Sequence, residues 1–301
     1  MAAQPLDLPG SISGILRGDM STPVSRAVLV TGSSSGIGRA TAIRLAERGW
    51  DVYASARHPE SIANLVEHGC RLLQLDVTDE GSMVAAVRKV EAERGAVGVL
   101  VNNAGYGQGG AVEEVPVEAM RRQFETNFFG LARLTQLVLP GMRTQRWGKV
   151  VNVSSMGGRL TLPGGGVYHA TKHAVEALSD ALRFEVKGFG VDVIVIEPGV
   201  IKTRFGDVNV GTIDLGEQNG PYAEFSAGVA RVVAGAYSPR ARGMGTSEGV
   251  AAVIERAVSA RRPKTRYVYP AMGRALITAR RLLPDRAFDA LLRTRYPAPR
   301  P

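Results

Sequence analysis

The chain has 301 residues, 45% of them apolar, which is ample for one large α/β domain with its own core. A single cysteine, Cys70, excludes an intrachain disulfide framework, and four scattered histidines offer no metal-ligand spacing. No apolar run reaches the roughly eighteen residues of a membrane span, and the formal charge of +9 is carried by residues 261–301, where ten arginines and one lysine face only Asp285 and Asp289.

Residues 1–25 read as a Gly- and Pro-containing flexible tail. Met1–Asp19 lack the charged start and apolar core of a signal peptide, and Met20 is a second candidate start. A first strand is expected at Ala27–Thr31. It runs into Thr31-Gly32-Ser33-Ser34-Ser35-Gly36-Ile37-Gly38 and then a helical pattern, Arg39 to Arg48, closed by Gly49. Strand, glycine turn and helix form the context of a dinucleotide fingerprint. Gly32 suits the tight turn, Gly36 the approach of backbone to a pyrophosphate, and Gly38 close helix–strand packing. The helix N-terminus supplies N–H donors for phosphates. The bland alternative is a plain Gly/Ser loop.

Further strands are expected at Asp51–Ser55, Leu72–Leu75, Val99–Asn102, Lys149–Val153, Val191–Glu197 and Thr265–Tyr269, with helical patterns between them. This is the alternation of a Rossmann-type doubly wound parallel sheet flanked by helices, a single domain over residues 26–270. Ligands of such sheets bind at the carboxyl ends of the strands. There the chain places Asn102-Asn103-Ala104-Gly105, and Ser154-Ser155-Met156-Gly157-Gly158 after Val150–Val153. Taken alone, each is equally an ordinary turn.

Tyr168 and Lys172 follow Ser155 by thirteen and seventeen residues. Four apart on a helix, they share one face. A fixed ammonium favours phenolate; at about 4 Å and an effective dielectric near 20 the attraction is at most about 4 kcal/mol. That is enough to move a tyrosine into general acid–base range.

Residues 204–245 form a long Gly-containing region with Tyr222, Phe225 and Tyr237, which either line a pocket or pin the region to the core. Residues 271–301 form a basic amphipathic extension with Leu276, Ile277, Leu282 and Leu283, then Phe288, Leu291 and Leu292 after Pro284. Packing on its own subunit or a partner is the favoured reading, and peripheral contact with an anionic membrane surface is the alternative. No nucleic-acid recognition motif is present.

These motifs, in this order, resemble the short-chain dehydrogenase/reductase family over residues 26–260. The resemblance covers the glycine turn Thr31–Gly38, Asn102–Gly105, Asn127 within Phe124–Phe128, Ser155, Tyr168 with Lys172, and Pro198, Gly199 and Thr203. It implies an alcohol–carbonyl oxidoreductase with Asn127, Ser155, Tyr168 and Lys172 as catalytic residues. Tyr168 would donate the proton in the reduction direction, Ser155 would hydrogen-bond the reacting oxygen, and Lys172 would hold the nicotinamide ribose. Asn127 would anchor a water that passes protons onward.

The cofactor site implied is Gly32, Ser33, Ser35, Gly36, Ile37, Gly38, Arg57, Asp76, Val77, Asn103, Ala104, Gly105, Tyr168, Lys172, Pro198, Gly199, Val200 and Thr203. At the end of the second strand stand Ala56 and Arg57, with no acid before Glu60. A guanidinium suits a ribose phosphate, so NADP(H) is expected over NAD(H), with Ser33 assisting Arg57. The run Ser155–Gly158 with Leu162-Pro163 is similar to the hydroxysteroid and retinol dehydrogenase branch, which implies a steroid, retinoid or long-chain substrate. The family also implies a homodimer or homotetramer, and a reducing cytoplasm suits the lone cysteine. Two other readings stand beside it: a cofactor-binding regulator without turnover, and a membrane-peripheral protein acting through residues 271–301.

Overall fold

The computed structural model describes residues 24–203, 220–238, 241 and 243–299. Residues 1–23 of the tail, with Met20, and residues 204–219, 239, 240 and 242 of the Gly-containing region lie outside the described residues.

Seven strands form one parallel sheet: β1 (Ala27–Val30), β2 (Asp51–Ala56), β3 (Arg71–Gln74), β4 (Val99–Asn102), β5 (Gly148–Val153), β6 (Val191–Pro198) and β9 (Arg266–Tyr269). Their order is β3-β2-β1-β4-β5-β6-β9, and every pairing is parallel. The chain reverses direction across the sheet between β1 and β4, which opens a crevice at the carboxyl ends of the two strands. A small parallel pair, β7 (Ile201–Lys202) and β8 (Gly245–Thr246), lies outside the main sheet.

Alternation along the strands builds two cores. Val28, Val30, Val52, Val99, Val101, Val151, Ile194 and Ile196 face one side, with Leu45 of helix α1 (Gly36–Glu47) and Ile254 of a later helix, Ser247–Ser259. Ala27, Leu29, Tyr53, Leu100, Val150 and Val193 face the other, with Val87 of α2 (Glu80–Arg94) and Leu134 of Gly130–Thr144. Successive side chains of a strand point to opposite faces, so a sheet covered on both sides is apolar throughout.

The helix after β4 is continuous in direction but not in pitch. Residues α3 (Val117–Phe124) and α4 (Gly130–Thr144) are joined by a wide π-helical turn, Glu125–Phe129, which contains Asn127. Helix α5 (Gly166–Glu185) carries Tyr168 and Lys172. After it come α6 (Ala223–Ala236), α7 (Ser247–Ser259), α8 (Ala271–Leu282) and α9 (Asp285–Arg293). The C-terminal extension is thus two short helices packed on their own subunit. Phe288 and Tyr296 are buried, Leu276, Ile277, Leu283 and Leu292 half-buried, and Leu282 and Leu291 exposed. Among the described residues no helix is long and apolar enough to cross a membrane.

The edge strand β9 is tied to α5 by charge. Arg266 donates to Glu176 (3.0 Å) and Asp180 (2.7 Å) of α5 and lies 3.2 Å from Glu197 of β6, which also meets Arg159 at 3.4 Å. Glu197 is only 2% exposed. Burial, then the neighbouring Glu176, push its carboxyl up to about 7 against the pull of the two arginines. Removing the shared cation strands two buried carboxylates, a loss of roughly 3 kcal/mol for such clusters. Arg266→Met is therefore expected to lower urea stability at pH 8 by about that amount. A loss under about 1 kcal/mol would show that the cluster does not hold the edge strand.

Candidate active site

Ser155 follows the end of β5 and caps the short turn Met156–Gly158, its Oγ accepting from Gly157 N at 3.0 Å. The side chains of Ser155 and Tyr168 are hydrogen-bonded. Lys172 is buried, and its Nζ donates to the Val153 carbonyl at 2.9 Å. The π-helical turn swings Asn127 inward, where its Oδ1 accepts from Tyr106 N (3.0 Å) and its Nδ2 donates to Tyr106 O (2.8 Å) and Thr171 Oγ1 (3.2 Å). Asn127 therefore acts one layer behind the cavity, holding the loop that follows β4. A methyl group on Gly105 would lie 3.0 Å from Asn127 Oδ1 and 3.8 Å from Lys172 Nζ, so glycine there lets the two polar groups face one another.

The expectation that Lys172 pulls the Tyr168 phenol toward ionisation is corrected by the geometry. The ammonium is spent on the Val153 carbonyl and stands 5.8 Å from the centre of the Tyr168 ring. Burial dominates instead. It pushes Tyr168 up to about 12, against the hydrogen bond from Ser155, and Lys172 down to about 8, against Glu176. Desolvation penalises whichever form is charged. The free site therefore holds a protonated phenol beside a readily deprotonated amine.

A cavity of about 1010 Å³ runs along the carboxyl edge of the sheet. One end is lined by Gly32, Ser35, Gly36, Ile37, Arg57, Asp76 and Val77, with Thr203 against Gly36; the middle by Asn103, Ala104 and Gly105; and further along by Ser155, Tyr168, Lys172, Pro198, Gly199 and Val200. Gly32 and Gly36 adopt φ of +69 and +55, and a side chain on Gly32 would press on Ala104 Cα at 3.0 Å. Helix α1 begins at Gly36, earlier than the expected Arg39, with no side-chain cap at Ser35. Its first N–H groups are thus left for a ligand at this end of the cavity. The Thr31 hydroxyl accepts from the N–H of Asn103 (2.9 Å) and of Ala104 (3.0 Å), clasping the two strand ends together.

Two expected cofactor residues do not reach the cavity. Ser33 is fully buried, its hydroxyl donating to Val30 O (3.1 Å) and its N–H to Ser55 O (2.8 Å), so it cannot assist Arg57; Ser34 lines the cavity instead. Gly38 lies against Gly32 and the Asn103 amide, where a side chain would collide with both. This is the close helix–strand packing expected of it.

Lining residues that carry no sequence signature of their own include His169, Tyr296 and Val229. His169, next to Tyr168, is buried; its Nδ1 accepts from Leu162 N at 3.2 Å, and burial, then His173, push it down to about 4. It is neutral at physiological pH, with the ring proton on Nε2. Tyr296 of the extension and Val229 of α6 complete the apolar end, with Tyr237 beside them. Burial, then Tyr168, raise the Tyr237 phenol. The amphipathic pattern around Leu292 was the one available signal for the Tyr296 wall.

Residues 26–210 match the family model of the short chain dehydrogenases. The chain belongs to the short-chain dehydrogenase/reductase family. It is 43% identical over 197 residues, 65% of this chain and 71% of the relative, to a 3-ketodihydrosphingosine reductase from Bacteroides thetaiotaomicron. It is 36% identical over 277 residues, 88% of this chain and 95% of the relative, to an NADPH-dependent 3-dehydrocapnine reductase from Ornithobacterium rhinotracheale. Among solved structures, a short-chain dehydrogenase from Streptomyces avermitilis matches with a TM-score of 0.76 and 36% identity, over 89% of this chain and 95% of its own. This short-chain dehydrogenase/reductase is therefore an NAD(P)-dependent oxidoreductase, and the glycine-turn end of its cavity fits the nucleotide.

The raised phenol yields a spectroscopic expectation for the protein without cofactor. The tyrosinate absorbance lost in Tyr168→Phe, taken as a difference against the parent, should emerge only near pH 12. A Tyr168 phenolate band already present near neutrality would overturn the burial argument.

Proposed function

We propose that this protein is an NADPH-dependent reductase of a lipophilic, long-chain ketone, with Tyr168 as proton donor. The observation that carries the reading is the placement of the Ser155–Tyr168 hydroxyl pair. It stands where the polar, glycine-lined part of the cavity meets an apolar part walled by Val229, Val232, Val233 and Tyr296. Two relatives named for reduction of a 3-keto and a 3-dehydro compound support the ketone, and one of those names specifies NADPH.

Bound reduced nicotinamide supplies the hydride that the carbonyl carbon receives. Ser155 donates to the carbonyl oxygen as negative charge develops. Tyr168, held protonated by burial, gives its proton to that oxygen, so an alcohol forms and a phenolate is left. Lys172, lowered to about 8, titrates near neutral pH beside Tyr168 and would hold the ribose hydroxyls of the cofactor. Asn127 positions the Tyr106 loop and anchors the water that carries protons onward. Arg57, exposed at the end of β2 and lining the cavity, receives the ribose phosphate.

Tyr168→Phe is expected to lower kcat by about 10²- to 10⁴-fold while leaving NADPH binding intact. Tight binding with no turnover by the parent protein on any ketone would instead favour the regulator reading. Arg57→Asp is expected to cut the NADPH-over-NADH preference in kcat/KM by roughly ten- to a hundredfold, the size of a lost charged hydrogen bond. A variant that still preferred NADPH would remove Arg57 from the assignment.

A further inference from the structure

A second cavity, of about 770 Å³, lies behind the catalytic one, and the segment Leu162-Pro163-Gly164 lines both. Its walls come from the loop before α5 (Leu160, Thr161), from the approach to and start of α6 (Tyr222, Phe225), and from α9 of the extension (Phe288, Leu292). Leu162, Phe225 and Leu292 belong to one apolar cluster with Val229, Val233 and Tyr296, which face the catalytic cavity. One apolar cluster therefore borders both cavities, with Leu162–Gly164 as their shared wall. The dividing segment sits close against α6 because residue 164 is glycine: at φ +76, a side chain there would strike Val229. Among the charges around the second chamber, Arg280 pairs with Asp285 at 2.6 Å and Arg159 with Glu197 at 3.4 Å, while Asp289 is exposed.

We propose that the second cavity receives the alkyl tail of the substrate, and that the C-terminal extension sets the length of tail accepted. The proposal rests on the ketone reductase reading and specifies its substrate: a ketone whose carbonyl lies near one end of a long unbranched chain. The carbonyl sits at Ser155 and Tyr168, and the chain passes over Leu162–Gly164 to lie against Phe288 and Leu292. Helix α9 is a wall of that chamber, so residues far from the chemistry in sequence select the substrate.

The test is kcat/KM with NADPH across straight-chain 3-ketones of increasing length, beside calorimetric binding of the matching secondary alcohols to the protein alone. Each added methylene should raise kcat/KM and affinity about three- to fourfold until the second chamber is full. Thr161→Trp fills the chamber from the loop side and Leu292→Trp from the helix side. Either is expected to abolish the gain for long chains while leaving the shortest ketone within about twofold of the parent, and two opposed sites guard against one variant failing to fold. A length profile that neither folded variant alters, or a flat profile in the parent, would overturn the proposal. If no ketone of any length is reduced but alcohol affinity still climbs with length and collapses in Thr161→Trp, the reductase reading fails and the tail chamber stands.

Discussion

A buried ammonium persists in a protein only where a polar group receives it, and here the receiver of Lys172 is the main-chain carbonyl of Val153. That one bond joins the last residue of β5 to the helix carrying Tyr168. Ser155 stands two residues beyond Val153, so the bond also sets the distance between the serine and tyrosine hydroxyls. Behind it, Glu176 lies one turn further along α5 and holds Arg266 of β9, which holds Glu197 of β6 in turn. The helix carrying Tyr168 is thus anchored to three adjacent strands by charge, from the cavity wall at Lys172 to the edge strand at Arg266. Breaking any link leaves a desolvated charge without a partner, which costs far more than a lost surface contact.

The same burial that makes Lys172 expensive gives the site its chemistry. Desolvation works on phenol and ammonium in opposite directions, keeping the proton on Tyr168 and loosening it on Lys172. In the proposed mechanism, a phenol donor flanked by a group that titrates near neutrality needs no ionised resting state. The elementary Coulomb argument between two residues four apart on a helix failed because it ignored this term. The ammonium points to a carbonyl rather than to the phenol oxygen.

The arginine-rich C-terminus divides into two populations. Arg266 and Arg280 are structural, pairing with Glu176 and Asp180 in one case and with Asp285 in the other. Arg274, Arg281, Arg286, Arg293 and Arg295 are exposed. The positive charge thus coats the outer face of a segment whose inner face, Phe288 and Tyr296, closes the apolar end of the catalytic cavity and its neighbour. Gly228 of α6 makes the fit possible, since a side chain there would collide with Pro297.

The parallel sheet was legible because buried strands declare themselves as apolar runs ending in glycine, asparagine or serine; the seven expected strands lie within a residue or two of those observed. The nucleotide turn was legible because positive φ at Gly32 and Gly36 leaves little choice of residue. Spacing alone cannot tell which of three consecutive serines turns inward: Ser33 is buried while Ser34 and Ser35 line the cavity, and Gly38 packs against Gly32 and Asn103 as its expected helix–strand packing requires. The π-helical turn at Asn127 and the neutral, wedged His169 left no pattern either, because their roles come from neighbours distant in the chain. Local chemistry thus carried the fold and the family motifs, and pointed to the candidate reacting groups. Tertiary packing alone decided their protonation and the shape of the apolar chambers, because desolvation and cavity walls arise from segments over a hundred residues apart, as when Tyr296 closes a site built around Tyr168.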